Sequence, residues 1–221
     1  MHDLKLYKEE IASGAVVRTR DTGAICARYV VSGSIRVRGD ALVGTLSANS
    51  AWLQTQPAEL TGGSLPAVAL RWELAASGAS ESVIASDGVT SSLLLGAQLD
   101  LERSRDYLVR CDRVDFPPGG VALLHTHQGG GIRCLIQGSI EIETKGARHT
   151  YGPLQAWFEA GPDPVFAATS EREPSAFARV MILPRTLLGK SSISYVKPED
   201  LAKPKNQKYQ VFIDTPIELP A

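Results

Sequence analysis

The sequence predicts an all-β protein made of two similar β units followed by a C-terminal extension. Short segments that alternate apolar and polar residues dominate the chain, turn residues separate them, and the first half aligns with the second at a fixed offset. The chain of 221 residues is long enough for one large domain or two small ones. Apolar residues make up 43% and charged residues 21%, which indicates a globular rather than a disordered protein.

Nine segments have the composition of β-strands. Ile140 and Ile142 alternate with Glu141 and Glu143, which is typical of a strand with one buried face. Turn-forming runs such as 117–120, with the sequence Pro-Pro-Gly-Gly, separate the segments. Many short strands with little helix favour a barrel or a sandwich. The predicted strands are 15–19, 25–31, 34–38, 67–74, 92–95, 107–116, 132–136, 139–143 and 177–183.

Helical signals are few, and both predicted helices are short. One is expected over 3–11, and a second begins at Pro198, with proline in its first turn, and ends before Pro204. Small polar residues between 75 and 92 indicate a connection between two halves. The predicted organisation is an N-terminal unit 1–80, a connection 81–104, a second unit 105–188 and an extension 189–221.

An internal repeat supports this division. When the chain is aligned with itself at an offset of 105 positions, nine of the 39 positions from 14 to 52 are identical without a gap. Unrelated sequences would share roughly two or three. Arg28 aligns with Arg133, and Trp52 aligns with Trp157. The lysine-rich extension is interpreted as solvated, with a strand over 209–213 that packs on a barrel or on a partner subunit.

Charge and composition limit the class of partner. The chain has 23 basic and 24 acidic side chains, and this balance argues against a nucleic-acid-binding protein. No stretch approaches the roughly 20 apolar residues of a membrane helix. The three cysteines are too few for a disulfide framework, which favours a cytoplasmic protein. We therefore expect a small-molecule partner, neither nucleic acid nor membrane, and a homodimer whose second copy covers edge strands.

The strongest local signal is a pair of histidines that follows a Pro-Gly turn. Pro118 and Gly119 precede His125 by a short strand, and His127 lies two positions further on. Side chains at i and i+2 of a strand project from the same face, so both imidazoles can reach one metal ion. The alternative is a pair of hydrogen-bonded pocket histidines without metal. Neutral imidazole is a ligand for several transition metals.

This pattern resembles the first motif of the cupin superfamily, of the RmlC-like type, and Gly138 falls where that motif ends. With the repeat, the chain resembles a bicupin, which implies two tandem double-stranded β-helix (jelly-roll) barrels and one divalent metal (Fe, Zn, Ni or Mn) in the C-terminal barrel. The resemblance also shows departures. The family glutamate would fall at 131, where this chain has Gly131, and the histidine of the second motif would fall near Pro164.

Only two of the four usual ligands therefore remain in the second half. The first half has Arg20 and Thr22 at the positions that match the histidines, so the first barrel is expected to hold no metal. Glu159, two positions after Trp157, is the candidate third ligand in the second half, and with the histidines it would complete a facial triad.

Arg133 is also expected inside the second barrel, because it lies two residues beyond the vacated glutamate position. A buried arginine needs a partner, which is either Glu159 or an anionic ligand. Arg133, Trp157 and Glu159 are thus the candidate ligand-binding residues. Trp157, being repeated at Trp52, is open to a second interpretation as a core residue.

Three functions are compatible with this pattern. The favoured one is a cupin-type protein that binds a small molecule without turnover, because two family ligands are missing. The second is a metal-dependent oxygenase or isomerase that uses His125 and His127, with Glu159 as a third ligand. The third is a structural or regulatory module that associates through its extension. Fold alone does not choose among them, so whether the chain is an enzyme stays open here.

Overall fold

The computed structural model describes residues 1–39, 42–84 and 86–221. The chain divides into two compact units, of which the first comprises 1–103 with 219–221 and the second comprises 104–218. Within the described residues the regular structure is almost entirely antiparallel sheet. No helix found there is long and apolar enough to cross a membrane.

The strands of the first unit form two five-stranded sheets, as far as the described residues show, in the orders β10-β1-β8-β3-β6 and β5-β4-β7-β2-β9. Side chains from both sheets, such as Ile11, Val30, Ile35 and Leu60, share one apolar core. The strands are β1 (His2–Ile11), β2 (Val16–Thr19), β3 (Ile25–Ser32), β4 (Ser34–Gly39), β5 (Val43–Ser47), β6 (Ser50–Gln54), β7 (Ala58–Gly62), β8 (Ala67–Ala76), β9 (Val83–Ile84) and β10 (Val89–Leu99).

The second unit has two five-stranded sheets of its own, in the orders β20-β11-β18-β13-β16 and β15-β14-β17-β12-β19. Adding ten to each strand number of the first unit gives the order in the second. The strands are β11 (Tyr107–Phe116), β12 (Val121–His127), β13 (Gly131–Gln137), β14 (Ile140–Thr144), β15 (Ala147–Tyr151), β16 (Ala156–Glu159), β17 (Val165–Thr169), β18 (Ser175–Pro184), β19 (Ile193–Tyr195) and β20 (Lys208–Ile217), with 3-10 turns at Arg185–Leu187 and Pro198–Leu201.

The helix predicted over 3–11 is wrong, because this segment is the long strand β1. It pairs with β8 on one side and with β10 on the other, so its backbone groups are bonded along both edges. Leu4 and Leu6 are fully buried and alternate with polar residues. That alternation has the period of a strand and outweighs the helical preference of the charged residues.

Two other segments have more structure than the sequence indicates. The stretch 81–104 contains β9 and β10, and β10 pairs with β1 along its whole length. The stretch 189–221 contains β19, which pairs with His125 to His127 on β12, and β20, which pairs with β11. The C-terminal stretch therefore completes both sheets of the second unit. The second predicted helix is reduced to the 3-10 turn Pro198–Leu201.

Candidate metal site in the second unit

The two histidines project inward because β12 contains a bulge. From Ala122 to His125 the strand advances three residues while β17, opposite, advances only two, from Ala167 to Val165. One residue of β12 is therefore extra, and the strand is re-aimed beyond it. His125 and His127 are then buried on the same face, with 6% and 3% of their surfaces exposed.

The carboxylate of the site comes from the neighbouring strand. Glu159 on β16 lies directly opposite Gly131 on β13, the position where the cupin motif has its glutamate. Residues paired across a sheet project from the same face. Glu159 therefore places its carboxylate on the face that the missing side chain at 131 would have used.

The three side chains converge on one point. Nε2 of His125 is 3.2 Å from Nε2 of His127, and Nε2 of His127 is 3.4 Å from Oε2 of Glu159. All three ligand atoms lie within 4.8 Å of one another. Donors about 2.0–2.2 Å from a shared ion and roughly at right or tetrahedral angles stand about 3.0–3.5 Å apart, which is the spacing of both measured pairs.

Groups around the triad fix its orientation. Nδ1 of His125 is 2.7 Å from the carbonyl oxygen of Leu123, so Nδ1 carries the proton and Nε2 of the neutral ring keeps its lone pair. Nδ1 of His127 is 3.4 Å from Oγ of Ser192. The indole N–H of Trp157 donates to Oε1 of Glu159 at 2.8 Å. Trp157 thus positions the carboxylate as well as lining the cavity.

Arg133 is fully buried and forms an ion pair with the same carboxylate. Its Nη2 is 2.8 Å from Oε2 of Glu159, and its Nη1 donates to the carbonyl oxygen of Gly131 at 2.6 Å. Within the described part of the chain, Oε2 nevertheless has no partner with hydrogen-bond geometry, and neither has Nε of Arg133. Oε2 of Glu159 therefore has a lone pair that no hydrogen bond occupies. Such a buried carboxylate oxygen is suited to coordinate a metal ion.

The electrostatics set the protonation states that a metal requires. Burial lowers the pKa of His127 to about 3, and burial also lowers the pKa of His125. Burial alone would raise the pKa of Glu159, but Arg133, followed by His127 and Trp157, holds it well below its usual range. At neutral pH the histidines are therefore neutral and Glu159 is ionised, and these are the forms that coordinate a divalent cation.

The space between these groups is small. The cavity has a volume of about 20 Å³, room for about one water molecule or one ion. Its walls include Trp157, Phe177 and Arg179, and the C-terminal stretch closes it with Ile193 and Tyr209. The structure thus brings together the five residues that the sequence analysis singles out: His125, His127, Arg133, Trp157 and Glu159.

The extension contributes side chains to the site, and this was only partly expected from its composition. Ser192, Ile193 and Tyr209 lie at the site, although their stretch is interpreted above as solvated. The strand predicted over 209–213, expected to pack on a barrel or on a partner subunit, is part of β20 and pairs with β11. Arg179 also lines the site, and its pairing with Asp112, at 2.6 Å, could not be inferred from the repeat.

The first unit has different groups at the equivalent place. Thr19, bonded to Ala58, stands where His125 pairs with Val165, and Gln54 stands where the second unit has Glu159. The assignment of Arg20 to the place of His125 is wrong, because the bulge in β12 shifts the alignment by one residue. The side chain of Arg20 is exposed.

The backbone around Gly131 leaves no room for a side chain at this position. A Cβ at 131 would lie 2.3 Å from the carbonyl oxygen of Val180 and 2.9 Å from Cα of Met181, both backbone atoms of β18. We expect Gly131→Glu, and also Gly131→Ala, to destabilise the protein by about 1–3 kcal/mol or more and to add no ligand. Urea unfolding with Gly152→Ala as the matched control, where a Cβ has ordinary space, measures this. Stable Gly131 variants would contradict it.

Comparisons with known proteins identify the fold. No family model and no curated protein matches the sequence. The structure is similar to oxalate decarboxylase from Lactobacillus farciminis in complex with formate (TM-score 0.69, 12% identity, 92% of this chain and 82% of that chain). It is also similar to AerE from Microcystis aeruginosa (0.61, 14%, 80% and 87%).

A third similar structure is oxalate decarboxylase from Bacillus subtilis, determined in work on its Mn(II) centres (0.65, 11%, 90% and 73%). These neighbours are cupin-fold proteins. The all-β architecture of this chain, with its four antiparallel sheets among the described residues, agrees with a jelly-roll cupin fold. At such low identity the likeness concerns the fold alone.

Proposed function

We propose that the chain is a metal-dependent cupin-type protein whose second unit binds one divalent transition-metal ion through His125, His127 and Glu159. The observation that carries this proposal is a buried group of two neutral imidazoles and one carboxylate. His127 lies 3.2 Å from His125 and 3.4 Å from Glu159, all three ligand atoms lie within 4.8 Å of one another, and Oε2 of Glu159 lacks a directed hydrogen bond among the described residues. Two histidines and one carboxylate suit Mn, Fe, Ni or Zn.

Three protein ligands leave coordination positions open, where the metal would polarise an oxygen of a small substrate. The chain's own residues support that role. Arg133 keeps Glu159 ionised, Trp157 orients it, and the carbonyl of Leu123 keeps Nε2 of His125 unprotonated. An oxygenase or isomerase acting at such a site is the enzymatic form of the proposal.

The activity of the named structural neighbours is not part of the proposal. Two of those proteins are oxalate decarboxylases, and one has Mn(II) centres, which supports manganese as one candidate metal. The cavity here, about 20 Å³, has room for an ion or a water but not for an ion and a dicarboxylate together. With an ion bound, the body of a substrate would therefore lie outside this cavity, and only one of its atoms would approach the ion.

A second candidate is binding of a small molecule without metal or turnover. The ion pair between Arg133 and Glu159, at 2.8 Å, favours it, because it already neutralises the buried carboxylate. Under this reading His125 and His127 are hydrogen-bonded to each other through their Nε2 atoms and close the network. Metal content separates the two candidates.

We also propose that each unit is one cupin barrel, so that the chain is a bicupin. The support is the identical strand order in the two units and the repeat of Arg28 and Trp52 as Arg133 and Trp157, which pair across equivalent strands. The loss of both histidines and of the carboxylate from the first unit then assigns metal binding to the second barrel.

The test is metal content. Wild-type protein, stripped with a chelator and dialysed separately against Mn²⁺, Fe²⁺, Ni²⁺ and Zn²⁺, is expected to retain about one ion per chain of at least one metal, measured by elemental analysis. The variant His125→Ala/His127→Ala is expected to retain none and to keep its far-ultraviolet circular dichroism spectrum, because backbone pairing of β12 and the apolar cluster of the second unit hold the fold without the imidazoles.

The matched control is His149→Ala, which removes an exposed histidine on β15 and should leave metal content unchanged. Unchanged metal in the double variant would place the ligands elsewhere, and a wild-type chain that retains no metal would favour the second candidate. An unfolded double variant would show that the histidines serve the fold.

A further inference from the structure

A second, larger cavity lies beside the candidate metal site. This cleft has a volume of about 630 Å³, within the range of small-molecule sites. Arg179, Ile193 and Tyr209 line both the cleft and the small cavity that contains His125 and His127. These three side chains are therefore the wall between the two spaces. Ser192, which lines the cleft, also contacts His127.

The cleft has a rigid polar frame. Arg110 forms a two-point ion pair with Asp214, at 2.9 and 3.1 Å, and donates to the carbonyl oxygens of Leu187 and Lys190. The backbone N–H of Gly189 donates to the same Asp214 carboxylate. The loop 187–190 is thus fixed by one buried arginine. A frame that is ordered before a ligand arrives reduces the entropic cost of binding.

A second ion pair forms the inner wall. Arg179 makes two bonds to Asp112, at 2.6 and 3.0 Å, and its guanidinium carbon lies 5.8 Å from the ring centre of Phe177 and 5.8 Å from that of Tyr209. The guanidinium is held between two aromatic rings and a carboxylate. Its charge is therefore compensated, and it is a wall rather than a free anion site.

Three cationic and two anionic side chains line the cleft, so one positive charge is not balanced within the lining. Arg110 and Arg179 each have an aspartate partner, while Lys190 is exposed and no carboxylate lies within ion-pair distance of it among the described residues. The remaining lining is mainly apolar and includes Ile193, Tyr195, Leu201, Tyr209 and Val211. Of these, Leu201, Tyr209 and Val211 expose 72%, 45% and 52% of their surfaces, which is unusual for apolar side chains side by side.

We propose that this cleft binds a small organic monocarboxylate with an apolar, aromatic-sized body, whose carboxylate pairs with Lys190 and whose body covers Tyr209 and Val211. The wall of Arg179, Ile193 and Tyr209 separates the cleft from the candidate metal site, so this proposal goes beyond the proposed function and does not depend on it. Binding in the cleft itself requires no metal. One negative charge balances the lining, and an apolar body removes exposed apolar surface from water.

The test uses 1-naphthylacetate as the probe. Two analogues, 2-(1-naphthyl)ethanol and 2-(1-naphthyl)ethylamine, have the same ring but a neutral or a positive end. Isothermal titration calorimetry is carried out on the full chain, once stripped of metal and once in the presence of Zn²⁺. The carboxylate is expected to bind both forms, at least tenfold more tightly than the alcohol, and the amine to bind most weakly.

Two pairs of variants locate the binding. Val211→Trp fills the cleft and is expected to weaken binding at least tenfold, whereas Val196→Trp, at a similarly exposed valine outside the cleft, is expected to leave it unchanged. Lys190→Met should remove the preference for the acid over the alcohol, while Lys208→Met, on the exposed start of β20, should retain it. Equal affinity of Val211→Trp and wild type, or of acid and alcohol for wild type, overturns the proposal.

The outcomes separate this proposal from the metal site. Binding that requires Zn²⁺ and ignores Val211→Trp would place the carboxylate on the metal, so the proposed function would stand and the cleft would not. Binding to stripped protein that Val211→Trp abolishes supports the cleft even where no metal is retained. A wild-type chain that binds no acid, but is dimeric by light scattering and becomes monomeric in Val211→Trp, would show that a second copy covers the cleft and would overturn the proposal.

Discussion

The variant Glu9→Gln is expected to be less stable than the wild type by about 3–5 kcal/mol, because it leaves buried cations without their counter-charge. Glu9 is fully buried in the first unit. Its Oε2 is 2.9 Å from Nε of Arg28, and its Oε1 is 2.7 Å from Nε of Arg71, with both guanidinium groups also fully buried. In this variant Arg71 still has Glu73 at 2.7 Å, but among the described residues Arg28 is left with the neutral Gln54 as its side-chain partner.

Urea unfolding followed by intrinsic tryptophan fluorescence, to which the buried Trp72 of the first unit contributes, measures this loss. The matched control is Glu10→Gln, the next residue, whose carboxylate is half exposed and pairs with Lys8 at the surface. Its effect is expected to stay within about 0.5 kcal/mol. Similar stability of the two variants would contradict the prediction.

The same carboxylate makes the difference pH-dependent. Burial alone would raise the pKa of Glu9, but Arg28 and Arg71 hold it below its usual value. A carboxyl whose pKa is lower in the folded state stabilises the protein above its unfolded pKa, and the contribution is lost as the pH falls through the folded pKa. The gap between wild type and Glu9→Gln should therefore be constant above about pH 5 and shrink in acid. A gap that widens in acid would contradict this sign.

Arg133→Met is expected to make the stability of the protein depend on metal. Without metal, the variant leaves the buried carboxylate of Glu159 with no cation, at a cost of about 3–5 kcal/mol. A divalent ion on His125, His127 and Glu159 would replace the missing charge, so saturating metal should restore most of the loss and shift the variant more than the wild type. Methionine conserves most of the buried volume.

Thermal unfolding of chelated and of metal-saturated protein measures this dependence. Arg148→Met is the control, because Arg148 is exposed and pairs only with surface glutamates among the described residues. A loss of stability in Arg133→Met that is the same with and without metal would show that Arg133 serves packing rather than charge balance at the metal site.

Much of the site was predictable because it follows strand periodicity. Positions i and i+2 face the same way, and this rule alone brings His125 to His127 and Trp157 to Glu159. It also directs Arg133 inward, where its burial required a partner, and Glu159 was one of the two partners considered. The paired strand segments 107–116 and 177–183 were likewise clear from their alternation, and they match β11 and most of β18.

What could not be predicted depends on partners distant in the chain. Glu9 interrupts the alternation of β1 with a charge, and its partners Arg28 and Arg71 are 19 and 62 residues away. Without them the segment has the composition of a short helix. The bulge in β12 also has no local signal, because it consists of a register between β12 and β17 rather than of a residue type.

The position of the Glu159 carboxylate, on the strand next to Gly131, has a consequence for how metal sites are recognised from sequence. A linear sequence motif lists the ligands in the order of the chain. At position 131 such a motif meets glycine, so the ligand counts as missing. The ladder between β13 and β16 shows Glu159 directly opposite that glycine, so the carboxylate that we propose as a ligand lies on the neighbouring strand. Searches that score pairs of residues facing each other across a ladder would recover metal centres that linear signatures discard as degenerate.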